Sequence, residues 1–399
     1  MKFNKWTTGL AAVGVISLAS AARADEKMSQ LQTALSNTTI SGYVDTAAQW
    51  SPGTDSGPFG ANIPAYSFAR NDGFSLNAID IALDKPEDAG SWASGYHIEL
   101  MAGPDAAPVA TGGGLNVRQA YVVLRTPAGA NGIDWKVGVF DTIIGYEGTT
   151  DGSNPNYTRS YGYSIEPTTH TGILGTYKVS DALTISAGVA DSSNVGLPGT
   201  PAAINGVSPY ETQKTYMGTI ALTAPDSWGW AKGASLTLGA INALDAHVIG
   251  FSSPTTSLYA GLSLPTPIAA LKFGAAVDYL EVHNSTPVAF APNPSDDSVA
   301  VYGIYSTYQA TDKLSLNLRG EYLVNYGAGP YHTAANPGGS NAEELTATVQ
   351  YSLWTNVLSR VEFRWDHAEQ GNTFGYNQLT GAPTKDNDFL LALNLIYQF

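Results

Sequence analysis

The feature that most constrains this chain is the rhythm of its connections. Segments of about ten residues, alternating apolar and polar side chains, recur along the 399 residues, and the stretches between them are by turns short and long. Alternation with a period of two gives a strand one apolar face and one polar face. Sixteen such strands are expected, at 39–50, 74–84, 93–103, 117–126, 133–140, 169–179, 183–190, 215–223, 234–244, 256–264, 270–281, 299–309, 313–325, 343–353, 357–366 and 388–399. The segments 74–84 and 299–309 fit less cleanly, because both of their faces are partly apolar. Long connections fall at 51–73, 104–116, 141–168, 191–214, 283–298, 326–342 and 368–387, with short ones between them. The connection 245–255 is of middling length.

Strict alternation of short and long hairpins is what a closed barrel shows when its two rims face different compartments. An even strand count places both chain ends on the short-turn rim. At sixteen strands the interior is wide enough to hold water. The expected fold is therefore all-β: a transmembrane antiparallel up-and-down β-barrel, with short periplasmic turns and long extracellular loops. Residues 1–24 read as a signal peptide, with Lys2 and Lys5 ahead of a short apolar run and Ala22-Arg23-Ala24 as the cleavage site. Residues 25–38 form a short periplasmic lead, and 39–399 a single barrel closed by pairing of 39–50 with 388–399. No segment has the roughly 20 apolar residues of a membrane helix. With no cysteine, the sheet must supply the stability that disulfides would otherwise add. The formal charge of −15 argues against a nucleic-acid partner.

Charges sort by face. In 357–366, Val357, Val361, Phe363 and Trp365 oppose Arg360, Glu362, Arg364 and Asp366. Leu314, Leu316 and Leu318 likewise oppose Ser315, Asn317, Arg319 and Glu321. Burying such a row in a dry core would be prohibitive, whereas a wet lumen keeps it hydrated. At the C-terminus, Phe399, Tyr397, Leu395, Leu393 and Leu391 form the lipid-facing row. Gln398 and Asn394 face the other way, although Ile396 and Leu390 share that parity and are poor lumen residues. Trp50, Trp135, Trp365 and Tyr397 suit the two membrane–water boundaries.

Ordered motifs carry a family resemblance. They include Gly42-Tyr43-Val44-Asp45, Leu83-Asp84-Lys85-Pro86, Gln119-Ala120-Tyr121-Val122 and Lys136-Val137-Gly138-Val139-Phe140. The densest run is Ile144-Gly145-Tyr146-Glu147, Asn156-Tyr157-Thr158-Arg159-Ser160-Tyr161 and Pro167-Thr168-Thr169-His170. These stretches resemble the OmpL-like family of outer-membrane β-barrel porins. The terminal strand resembles the closing strand that the outer-membrane assembly machinery recognises. The resemblance implies an outer-membrane porin of a Gram-negative bacterium, passing small hydrophilic solutes or ions by diffusion. In general porins the third external loop folds inward to narrow the pore, and here the third long connection is 141–168. Glu147, Asp151, Tyr157, Arg159 and Glu166 are its candidate constriction residues, facing lumen-wall Arg319, Arg360, Glu362 and Arg364. Acids of the loop opposite arginines of the wall would set a transverse field across the opening. The tyrosines Tyr146, Tyr157, Tyr161 and Tyr163 read as packing that shapes the loop, and the acid excess predicts a preference for cations.

Other classes have less support. The six histidines show no H-x₃-H or HExxH spacing, and no G-x-S-x-G elbow is present. Asp296-Asp297 and Asp386-Asn387-Asp388 lack the spacing of a calcium loop. No enzyme activity, metal or cofactor is expected. The alternative is a surface binding protein or adhesin whose barrel is only an anchor. The partners expected are outer-membrane lipid, small hydrophilic solutes and the assembly machinery, with a homotrimer as an open question of assembly.

Overall fold

A computed structural model describes residues 37–52, 72–106, 115–191, 214–248, 251–283, 297–326, 341–376 and 383–399. The signal peptide and nearly all of the lead lie outside the described residues. The strands are β1 (Thr39–Trp50), β2 (Gly73–Lys85), β3 (Ala93–Ala102), β4 (Asn116–Thr126), β5 (Ile133–Asp141) and β6 (Thr169–Ser180). They continue as β7 (Leu183–Ala190), β8 (Thr215–Thr223), β9 (Ser235–Val248), β10 (Phe251–Pro265), β11 (Leu271–Val282) and β12 (Asp297–Gln309). The remainder are β13 (Leu314–Tyr326), β14 (Ala342–Trp354), β15 (Val357–Ala368), β16 (Phe374–Tyr376), β17 (Pro383–Lys385) and β18 (Asn387–Gln398).

Strands β1–β15 and β18 form one closed antiparallel barrel of sixteen strands. The seam joins β1 to β18, pairing Val44 with Tyr397, Ala48 with Leu393 and Trp50 with Leu391. Closure pairs both edges within the sheet, which lipid requires because it offers no hydrogen bonds to an open edge. Exposure along β18 alternates from Asp388 to Tyr397: Leu391, Leu393, Leu395 and Tyr397 are exposed, while Leu390, Ala392, Asn394 and Ile396 are buried.

Two details depart from the sequence reading. The middling connection shrinks because β9 runs on to Val248 and β10 begins at Phe251. The last long connection carries a small hairpin, β16–β17, pairing Phe374 with Lys385 and Tyr376 with Pro383. Three-residue strands are too short to show a period in sequence.

The apolar lumen residues find their reason in the fold. Leu390 packs with Ala47, Ala392 and Tyr157, and Ile396 packs with Tyr43, Met101 and Tyr163. Val299 and Val301 of β12, whose apolar inner face blurred its pattern, pack with Tyr161 and Ile165. Those four partners, Tyr157, Tyr161, Tyr163 and Ile165, all belong to the connection between β5 and β6. Part of the lumen is therefore a dry core, built between the wall and an inward loop.

Candidate pore constriction

The loop 142–168 leaves β5 and returns to β6 through a neck closed by Thr142 N–H donating to the Thr168 carbonyl at 3.0 Å. Its descending limb ends in a lobe braced by one side chain. Asn154 accepts from Gly148 N–H (2.9 Å) and donates to the carbonyls of Gly148 (2.8 Å) and Thr150 (3.0 Å). The ascending limb includes one helical turn, α1 (Tyr161–Ile165), whose N-cap Ser160 accepts from Tyr163 N–H at 2.9 Å. Arg159 crosses the loop to donate to the Thr149 carbonyl (2.8 Å) and to pair with Asp151 (2.7 Å).

The wall holds this loop by its backbone. On β15 the period of two places Arg360, Glu362 and Arg364 in a row facing inward, all buried. Arg360 donates to the carbonyls of Asp151 (3.1 Å) and Asn154 (2.5 Å). Glu362 accepts the N–H groups of Tyr157 (2.6 Å) and Thr158 (2.8 Å), and Arg364 donates to the Arg159 carbonyl (2.6 Å). On β13, Arg319 donates to the Thr158 carbonyl at 2.7 Å, and Glu321 accepts from Tyr161 N–H at 2.6 Å and Gly162 N–H at 3.2 Å. Arginines thus satisfy loop carbonyls, and glutamates satisfy loop N–H groups. The charged row is a template for a peptide backbone, and charge-assisted bonds of this kind are the strong ones.

The predicted site residues are brought together, but not as a field across an open gap. Glu147 lies 2.8 Å from Arg319 in a fully buried ion pair, and Arg319 also contacts Glu344 at 3.2 Å. Asp151 is paired with Arg159 of its own loop, while Arg360 reaches carbonyls. Among the described residues no arginine pairs with Glu166; it faces the Asp278 carboxyl of β11. Burial, and then Asp278, push the Glu166 carboxyl well above its ordinary range. The transverse field is therefore corrected: charges in contact across a dry seam cancel, and an acid beside an acid tends to keep a proton.

Tyr157, Tyr161 and Tyr163 are buried, with Tyr161 Oη donating to Asp366 at 2.7 Å. Tyr146 is half-buried and stacks on Tyr305 of β12, ring centres 4.0 Å apart. Glu344 and Asp366 complete the cluster and were not among the expected site residues. Parity was the available signal, since Glu344 shares the inward face of β14 with Thr346 and Thr348.

Part of the loop stays exposed. Its uncovered edge is small and uncharged, with Gly148 and Ser153 exposed and Gly145, Thr150 and Gly152 half-exposed. Beneath it lies a cavity of about 540 Å³, lined among others by Tyr146, Ser153, Tyr259, Lys272, Tyr305 and Asn317.

A family model described as "Putative beta-barrel porin-2, OmpL-like" matches residues 37–399. The chain belongs to this family. The porin is an outer-membrane channel of Gram-negative bacteria through which solutes diffuse passively. Its barrel is similar to the channel DcaP of Acinetobacter baumannii, at 12% identity and TM-score 0.59, covering 91% of this chain and 97% of that one. It is also similar to the trimer form of OmpT from Vibrio cholerae, at 12% identity and TM-score 0.58, covering 91% and 99%. Salmonella typhi OmpF, in a structure with daunomycin, gives 14% identity and TM-score 0.57, covering 91% and 97%. At such identities the likeness is one of fold. The search of curated proteins gave no match.

Proposed function

We propose that loop 142–168 is the size filter of this channel, and that solutes pass between its uncharged edge and the wall of β9–β14 that lines the adjoining cavity. The observation that carries the reading is the backbone template of Arg319, Glu321, Arg360, Glu362 and Arg364, which fixes the loop inside the barrel. Glu147, Asp151, Tyr157, Arg159 and Glu166 act in this reading as structural members of the constriction, with no chemistry performed on the solute. Small hydrophilic solutes fit the small polar edge. The lipid-facing row of β18 would serve as the assembly signal, and a trimer is the proposed assembly, as the OmpT comparison structure is described as a trimer.

The test is conductance in planar bilayers. Deleting Gly152–Tyr161 removes part of the lobe and most of the wall contacts, so single-channel conductance should rise. Unchanged conductance in a folded, heat-modifiable barrel would count against the loop as the filter.

A further inference from the structure

Beside the short turn between β12 and β13, inward-facing side chains of neighbouring strands stand opposite one another in two rows. One runs Lys272, Thr307, Asn317 and Thr348 across β11–β14. The other runs Gln309, Ser315 and Gln350 across β12–β14. Towards β15 both rows hold the loop. Thr348 bonds Asn156 at 2.7 Å, Asn317 donates to the Pro155 carbonyl at 2.9 Å, and Gln350 accepts from Arg360 at 3.0 Å. Towards β9 the polar face goes on without that duty. Ser263 of β10 pairs in register with Ser235 of β9, and Thr237 follows on the same face. Ser235, Thr237, Ser263 and Thr307 are half-buried, and their hydroxyls bond no other described residue.

These hydroxyls border the cavity of about 540 Å³ beneath the loop. Sites for small molecules span about 300–1,000 Å³, so the space suits such a ligand. Among the described residues that line it, Lys272 is the one charged group, and no carboxylate is present. Tyr146, Tyr259 and Tyr305 also line it. Tyr259 and Tyr146 lie against Gly261 and Gly274, where any Cβ would collide with their hydroxyls. The two glycines let these rings sit back against the wall and keep the space open.

We infer that this cavity is a weak binding subsite for neutral polyhydroxylated solutes, namely sugars and polyols up to disaccharide size. Hydroxyls and side-chain amides both donate and accept, as sugar hydroxyls do, and neighbouring strands space them about 4.8 Å apart. A sugar can therefore exchange bound water for several wall partners at once. The tyrosine rings add apolar surface for its C–H groups. With one ammonium and no carboxylate, the lining gives a small ion little to exchange for its hydration shell. Weak binding suits a channel, because the solute must leave as readily as it enters. The inference rests on the reading that solutes pass beside the docked loop, and it names the class that this passage favours.

Block of the ion current through the full chain in planar bilayers provides the test, with lactose as the probe. Lactose should lower conductance saturably, with a half-blocking concentration in the millimolar range. A polyethylene glycol of similar size should lower it only in step with viscosity. Thr237→Val with Thr307→Val removes two hydroxyls that hold no part of the loop, and should raise the half-blocking concentration about tenfold. A conducting porin that responds to lactose as it does to the glycol overturns the inference and leaves the channel reading intact. A double Val variant with unchanged block does the same. Stronger block by lactobionate, the acid of nearly the same size, would assign the cavity to hydroxy acids and overturn the neutral class. Unchanged conductance after deletion of Gly152–Tyr161 overturns the loop reading and the inference with it, as does a folded barrel with no conductance. Because lactose block of the unaltered porin decides the matter by itself, misfolding of a variant does not shield the inference.

Discussion

Arg319 is the most connected cation of the seam, so replacing it with methionine is the sharpest perturbation of the loop. Its side chain is fully buried. Its partners include Glu147 and the carbonyl and hydroxyl of Thr158 on the loop, and Glu344 and the Thr346 hydroxyl on the wall. Arg319→Met keeps the apolar stem but leaves two carboxylates and one carbonyl buried with fewer donors. Breaking a buried ion pair by removing one partner costs about 3–5 kcal/mol. That shifts the balance between docked and undocked loop by roughly two to four orders of magnitude. The sheet hydrogen bonds of β13 are main-chain bonds, so the barrel itself should survive. Single-channel recording should show larger mean conductance and frequent flicker, and the purified barrel should remain heat-modifiable on gels. Adding Glu147→Gln and Glu344→Gln removes the orphaned charges and should restore quiet channels in large part. Arg319→Met channels with the conductance and noise of the unaltered porin would refute the view that this seam holds the loop, and so would a triple variant noisier than the single one.

Two further perturbations probe the loop from within. Asn154→Ala removes the brace on Gly148 and Thr150, at a cost of about 1–3 kcal/mol for the groups left unmet. Amide exchange should quicken across 148–153 and channel noise should rise; unchanged exchange there would show that the lobe is held by other means. Glu166 gives a pH dependence of known sign, because burial and the Asp278 carboxyl raise its pKa above the ordinary 4.5. The stabilisation from its neutral form is complete below that ordinary value and is lost as pH rises through the raised one. Channel noise should therefore grow as pH rises above the ordinary carboxylate range and through the raised value, and Glu166→Gln should flatten the trend. A Glu166→Gln channel with an undiminished pH trend would place the titration elsewhere.

The barrel was legible because its pattern is local. A period of two states which face each residue takes, and turn chemistry states where strands end, so the strand set and the β1–β18 seam could be read without any long-range knowledge. The site was half legible for the same reason. Parity put Arg319, Arg360, Glu362 and Arg364 on the inner face, and there they are. It could not say what stands opposite them. Glu147 meets Arg319 across 172 positions, and Tyr157 N–H meets Glu362 across 205. No local pattern encodes such partners, so an inward charge reads as solvated until the loop is in place.

Leu390 and Ile396 show how the missing half might have been sought. An apolar side chain on the lumen face is a misfit in a water-filled barrel, and the sequence displayed two of them on one strand. Each sits against a loop tyrosine, Leu390 with Tyr157 and Ile396 with Tyr163. Misfits on the wet face therefore marked where the wall is dry, as the charged rows marked where it grips a backbone. Taken together, the two kinds of residue and their neighbours outline a loop footprint that includes β1–β3, β11–β15 and β18. They also explain why the net charge is a poor guide to selectivity, since residues inside that footprint are counted in the sum but withheld from the solute. What the solute meets is the complement of the footprint.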